Sequence, residues 1–111
     1  MRKLLFIAGL IILATSAKAQ KIYSVDAAHR ADVKVYVVDA AHRADLLVYK
    51  VDASHRAGKN DGKWFFTKVA HRAEKKIYFV DAAHRADVKI YFVDAAHRAG
   101  WKNNSKKHLF Y

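Results

Sequence analysis

The chain has 111 residues, with 21 Lys and Arg against 10 Asp and Glu, a net charge of +11 and no Cys. That length bounds it to one small core, and the missing Cys excludes both disulfides and lipid anchoring through an N-terminal thiol. Pro is absent and only four Gly are present, so ordinary turn punctuation is scarce and the bends must come from another source.

Met1 to Ala19 reads as a secretory signal: Arg2 and Lys3 precede the apolar run Leu4–Ala14, and Ala17-Lys18-Ala19 is a small-x-small cleavage site. The alternative is a retained membrane anchor, but the run falls short of the roughly 18 residues a span requires. The expected product is an exported protein, periplasmic or extracellular, that begins at Gln20 and has no membrane span. It is a single repeat-built β domain over residues 20–111, and its repeats must pack densely or associate to make up for a modest core.

From there one unit dominates. Val-Asp-Ala-Ala-His-Arg-Ala recurs almost unchanged around His29, His42, His55, His71, His84 and His97, in steps of 13 residues with one step of 16 between His55 and His71. So short a unit cannot bury its own apolar face, so the copies must pack on one another. Near-identical copies argue against a catalytic centre, which needs different groups in distinct roles. The expectation is a protein that is not an enzyme.

Each copy opens with an extended segment such as Val33-Lys34-Val35-Tyr36-Val37-Val38 or Val88-Lys89-Ile90-Tyr91-Phe92-Val93, rich in β-branched and aromatic residues. One face carries Val33, Val35 and Val37, and the other Lys34, Tyr36 and Val38. Neither is wholly polar, which suits strands covered on both sides. Six strands are predicted near residues 21–25, 34–38, 47–51, 63–67, 76–80 and 89–93. The connector follows, Asp-Ala-Ala-His-Arg-Ala-Asp. Its first Asp is a good N-cap and stands four residues before Arg, so one helical turn or a bent loop is expected. The invariant Ala of each copy (Ala31, Ala44, Ala57, Ala73, Ala86, Ala99) suggests a contact too tight for a larger side chain.

The copies form a triplet written twice, about residues 21–58 and 63–100, joined through Lys59-Asn60-Asp61-Gly62, with a tail over residues 101–111. An approximate two-fold relation between the halves is expected. Copy four diverges: Thr67 replaces Val, Lys68 replaces Asp, and Phe65 takes the Tyr position. Copy three differs at Ser54, where the others have Ala.

The Ile-Tyr-x-Val-Asp and His-Arg-Ala-Asp units, the Gly62-Lys63-Trp64 junction and the ending Ala99-Gly100-Trp101-Lys102-Asn103-Asn104-Ser105-Lys106-Lys107-His108-Leu109-Phe110-Tyr111 resemble the 7(1) septoil knot domain family. The resemblance implies a small all-β domain whose backbone is tied in a seven-crossing torus knot, with two three-repeat halves wound about each other and no established activity. It supplies no catalytic residues. Read without the resemblance, the residues favour a small β-solenoid or a two-sheet sandwich, because true knots are almost absent from proteins.

Charge is local. Residues 21–57 and 81–100 are nearly neutral, whereas the junction and the tail are basic. Lys59, Lys63, Lys68, Lys75 and Lys76 with Trp64 and Phe65, and Lys102, Lys106 and Lys107 with Trp101, Phe110 and Tyr111, mix cations with aromatic rings. That mixture suits acidic polymers such as lipopolysaccharide, an acidic glycan or extracellular nucleic acid. The alternative is that the rings are core and the lysines keep the domain soluble. The six histidines invite a metal hypothesis, but a site needs three or four ligands converging on one ion, and repeats scatter their rings. No cofactor or metal site is expected, no partner is specified beyond an acidic polymer or envelope component, and a monomer or weak oligomer is the expected state.

Overall fold

The computed structural model describes residues 19–111; residues 1–18 of the predicted leader, Met1 to Ala19, lie outside the described residues. Seven strands form: β1 (Lys21–Ser24), β2 (Val33–Val37), β3 (Leu46–Lys50), β4 (Lys63–Phe66), β5 (Lys75–Phe79), β6 (Val88–Phe92) and the short β7 (Gly100–Trp101). All six predicted strands end a residue early; β1 and β4 start where predicted and the other four start one residue before. The two-residue β7 was not expected.

The strands run in the order β4-β1-β5-β2-β6-β3-β7, and β3 also pairs with β4, so six strands close into a ring. All six ring pairings are parallel; only β7 runs antiparallel, beside β3. This is neither two facing sheets nor an open stack, as the residues alone had favoured. Closing the sheet removes the unpaired edges that a sandwich or solenoid would leave. The domain is all-β and barrel-like.

Strands of the first half, β1 to β3, alternate round the ring with strands of the second, β4 to β6. Each ladder among the six therefore joins the two halves. The linking 3-10 turns follow the same rule. The turn Ala28–Arg30 packs on β5, Ala41–Arg43 on β6, Ser54–Arg56 on β4, Ala83–Arg85 on β2 and Ala96–Arg98 on β3. Each leaves one strand, crosses the outer face of a strand from the other half, and enters the next. The register climbs as it goes: Ile22 lies opposite Lys75, and its repeat equivalent Val35 lies opposite Phe79, four residues further along β5. That stagger tilts the strands and sets the barrel's girth.

Inside, one position per strand fills the centre. Ile22, Val35, Val48, Trp64, Ile77 and Ile90, each seven residues before its copy's histidine, are all fully buried. Burying each aliphatic one contributes roughly 1.5–3 kcal/mol. Two residues earlier, Val33, Leu46 and Val88 extend the core towards the strand starts, where Phe110 packs against it. Two residues later the barrel opens. Val37 and Phe79 are exposed there, and the Lys50 ammonium sits over the rings of Phe92 and Phe66 at 4.8 and 5.6 Å. Val37, on the predicted inner face, thus lies at the rim because the face outruns the barrel.

The connector is one 3-10 turn, Ala-His-Arg or Ser-His-Arg, but the preceding Asp does not cap it. Ala27 occupies the N-cap position without a side-chain cap bond. Asp26 pairs instead with Arg30, and Asp39–Arg43, Asp52–Arg56, Asp81–Arg85 and Asp94–Arg98 repeat the pair at 3.0–3.3 Å. The second Asp has the structural role. Asp32, Asp45 and Asp87 accept 2.9 Å bonds from the backbone N–H of Lys76, Lys89 and Lys34, each on a strand of the other half. Of the invariant alanines Ala44 is buried and the others are half-buried.

Candidate functional site

The residues predicted to hold acidic polymers gather only in part. Trp64 is in the central layer of the core at 0% exposure, its ring 5.2 Å from Phe110 and 6.0 Å from Phe66. It cannot stack on a ligand, which corrects the sequence expectation: its β4 position is the one that every repeat points inward. Trp101 is half-buried against Phe110 at 5.8 Å, and its indole N–H is donated to Asn60 Oδ1 at 3.1 Å. Trp64 therefore serves packing, while Trp101 keeps part of its surface exposed.

The lysines are spread. Lys59 and Lys102 are exposed, and Lys63 pairs with Asp61 at 3.6 Å. Lys106 is committed to Asp45, at 3.6 Å, and to the Asp87 carbonyl, at 3.0 Å. Lys75 and Lys76 are consecutive on β5 and so project to opposite faces. What joins junction and tail is Asn60, whose amide N–H is donated to the Lys107 carbonyl at 3.1 Å while its carbonyl takes the Trp101 indole. Asn60 is buried and holds φ 64°, a left-handed conformation that Asn tolerates. The tail, a 3-10 helix from Asn104 to Phe110, is thereby fastened under the barrel, with Gln20 Nε2 donating to the Phe110 carbonyl. The sequence reading missed Asn60, whose signal is a left-handed-tolerant residue two before Gly62.

The histidines lie one to a turn and are exposed. Among the described residues no three His, Asp or Glu side chains gather as an ion would need.

A second feature recurs with the repeat. Where β3, β4, β5 and β6 end and their turns begin, a crevice opens between the aromatic end of the strand and the Arg of the turn. On β5 it is lined by Tyr78, Phe79, Asp81 and Arg85 with Lys34 from β2 and Ala28 from the neighbouring turn, and encloses about 520 Å³. On β6 and β3 the same positions, Tyr91 to Arg98 and Tyr49 to Arg56, line smaller versions. On β4 the crevice encloses about 470 Å³ and keeps the Lys and the Arg, as Lys21 and Arg72, but has Lys68 in place of the Asp.

A closed ring of parallel strands built from six copies of one short unit defines a repeat-built all-β domain. The family model described as 7(1) septoil knot domain matches residues 19–102, and the chain belongs to that family. No curated protein and no solved structure matches the chain.

Proposed function

We propose that this chain is an exported, non-enzymatic structural or interaction module whose backbone is knotted and whose topology gives it kinetic stability. The observation that carries the reading is the strict alternation of halves round the ring, with five of the six repeat turns packed on a strand of the opposite half. Two chain segments that alternate in this way are wound about each other, and unwinding them requires an end to be threaded out. Unfolding then carries a barrier beyond the loss of contacts, so lifetime rather than equilibrium stability is the property such a fold supplies. For a chain without disulfides that meets extracellular proteases, a long lifetime is useful.

The unfolding rate tests this. The intact protein should unfold over days in denaturant-free extrapolation, towards the slow end of the roughly 10¹ to 10⁻⁶ s⁻¹ span of small domains. A form cut between Lys59 and Asn60, which is no longer one continuous winding, should unfold at least about tenfold faster. Equal rates would overturn the topological reading. N-terminal sequencing of the protein recovered outside the cytoplasm should begin at Gln20.

A second reading has one supporting observation. Asn60 draws junction and tail together, so Lys59, Lys102 and Lys107 share the end of the barrel that the tail closes. That end suits an acidic polymer held by charge alone, without base stacking. Salt-dependent retention on heparin that falls when Lys102 and Lys107 become Ala supports it; indifference to heparin at low salt removes it.

A further inference from the structure

Five of the six turns neutralise their own arginine, and the fourth does not. In copies one, two, three, five and six an Asp four residues before the Arg forms the ion pair. In copy four that position is Lys68. Among the described residues, none of Lys21, Lys68 and Arg72 takes part in an ion pair, yet all three line one crevice.

The molecule supplies its own control. The β5 and β4 crevices correspond position by position: Lys34 with Lys21, Phe79 with Phe66, and Arg85 with Arg72. The differences are few. Asp81 becomes Lys68, Val80 becomes Thr67, Tyr78 becomes Phe65, and Ala28 of the adjoining turn becomes Ser54. Ser54 belongs to copy three and Thr67 and Lys68 to copy four, so departures in successive copies meet in one crevice because the Ser54–Arg56 turn packs on β4. Together they turn a crevice of two cations and one carboxylate into one of three cations, and they exchange a phenol hydroxyl for two aliphatic ones.

We infer that the β4 crevice is an anion-binding site for a phosphate monoester. Arg72 offers a planar fork that matches two phosphate oxygens, and Lys21 and Lys68 add point charges. Thr67 Oγ1 already accepts the Val69 N–H at 3.2 Å, which leaves its own proton to donate outward. Ser54 supplies a second O–H donor. Phe65, on the outer face of β4, gives an apolar surface beside these groups, so a monoester with a planar or apolar body is favoured over free phosphate. The site stands apart from the basic end closed by the tail and does not depend on the reading of that end or of the knot.

Titration of the full chain with phenyl phosphate and with inorganic phosphate, followed by amide chemical shifts, tests it. Phenyl phosphate should bind at one saturable site, more tightly than inorganic phosphate, with shifts centred on Ser54 and on residues 66–72. Lys68→Asp installs the residue that five other copies already carry, so it should fold normally and weaken binding by about tenfold or more. Arg72→Ala should do the same. Asp81→Lys, which places a second Lys beside Lys34 and Arg85, should create a weaker second site on β5. Unchanged affinity in Lys68→Asp, shifts confined to Lys102–Lys107, or no saturation by either probe would overturn the assignment.

Discussion

The indole N–H of Trp101 is donated to Oδ1 of Asn60 at 3.1 Å, and that bond fastens the end of the chain to the link between its halves. Asn60 also holds the Lys107 carbonyl through its amide, so one buried side chain satisfies two groups of the tail. Asn60→Ala strands both and places a Cβ-bearing residue with no side-chain polarity at φ 64°. The expected loss is about 2–3 kcal/mol, from two partly buried groups left unpaired and a left-handed backbone. Asn60→Gly removes the same bonds but relieves the backbone, and should lose about 1 kcal/mol less. Urea midpoints of the two variants check the order; equal midpoints would mean that the backbone contributes nothing.

Each repeat carries two aspartates in different employment, and they should respond differently to removal. Asp39 pairs with Arg43 at the surface with its side chain 82% exposed, whereas Asp45 is 14% exposed. Asp45 accepts from the Lys89 backbone N–H at 2.9 Å and from Asn103 Nδ2 at 3.2 Å, while its own carbonyl takes the N–H groups of Lys102 and Asn103. Asp39→Ala should cost less than about 1 kcal/mol, as exposed pairs do. Asp45→Ala leaves donors on β6 and in the tail unmet and should cost about 2–3 kcal/mol, a melting shift of roughly 10 °C or more. Thermal melts of the two single variants distinguish them.

Much of the architecture was legible because the repeat is so regular. Strand positions follow from β-branched runs spaced by 13 residues, and burial follows from the alternation that puts Val33 and Val35 on one face. Ring closure was not legible. The spacing of Ile22, Val35 and Val48 is the same whether their strands pair with one another or with Ile77 and Ile90 between them, and only the partners decide. The functional reading of Trp64 failed for a related reason: an aromatic beside lysines looks like a binding platform until strand parity shows which way it points. Asp32, Asp45 and Asp87 were visible as repeats, but their acceptors' role needs a donor 44 or more residues away in sequence. In contrast, the departures at Ser54, Thr67 and Lys68 stood out in the sequence, and only the fold brings them to one crevice.

Alternation of the halves predicts how fragments behave. Within residues 20–58, β1, β2 and β3 have no ladder with one another, because each pairs with strands of the other half. Alone, that fragment would leave its backbone groups unpaired and Ile22, Val35 and Val48 exposed. It should show a coil spectrum by circular dichroism, as should residues 59–111 by themselves. Mixing the two should restore the β signal with one-to-one stoichiometry. A folded spectrum from either fragment alone would contradict the interleaved order.

Two glycines near the junction separate a steric requirement from a permissive one. A Cβ on Gly62 would lie 2.4 Å from the Leu47 carbonyl oxygen and 2.9 Å from the Gly100 nitrogen, and its φ of +91° already disfavours a side chain. Both contacts are backbone: one on β3, the other at the start of β7, so neither can move without opening the sheet beside Trp64. A Cβ on Gly58 would meet only the carboxylate of Asp61, at 1.7 Å, a flexible and exposed group that rotates away. Gly62→Ala should therefore destabilise by about 2 kcal/mol or more, and Gly58→Ala by less than about 1 kcal/mol. Because Trp64 is two residues from Gly62, its fluorescence should shift to the red in Gly62→Ala as water reaches the ring, and stay unchanged in Gly58→Ala. If Gly62→Ala kept both the melting temperature and the emission maximum, the close approach of β4 to Leu47 and Gly100 would not be a constraint on this fold.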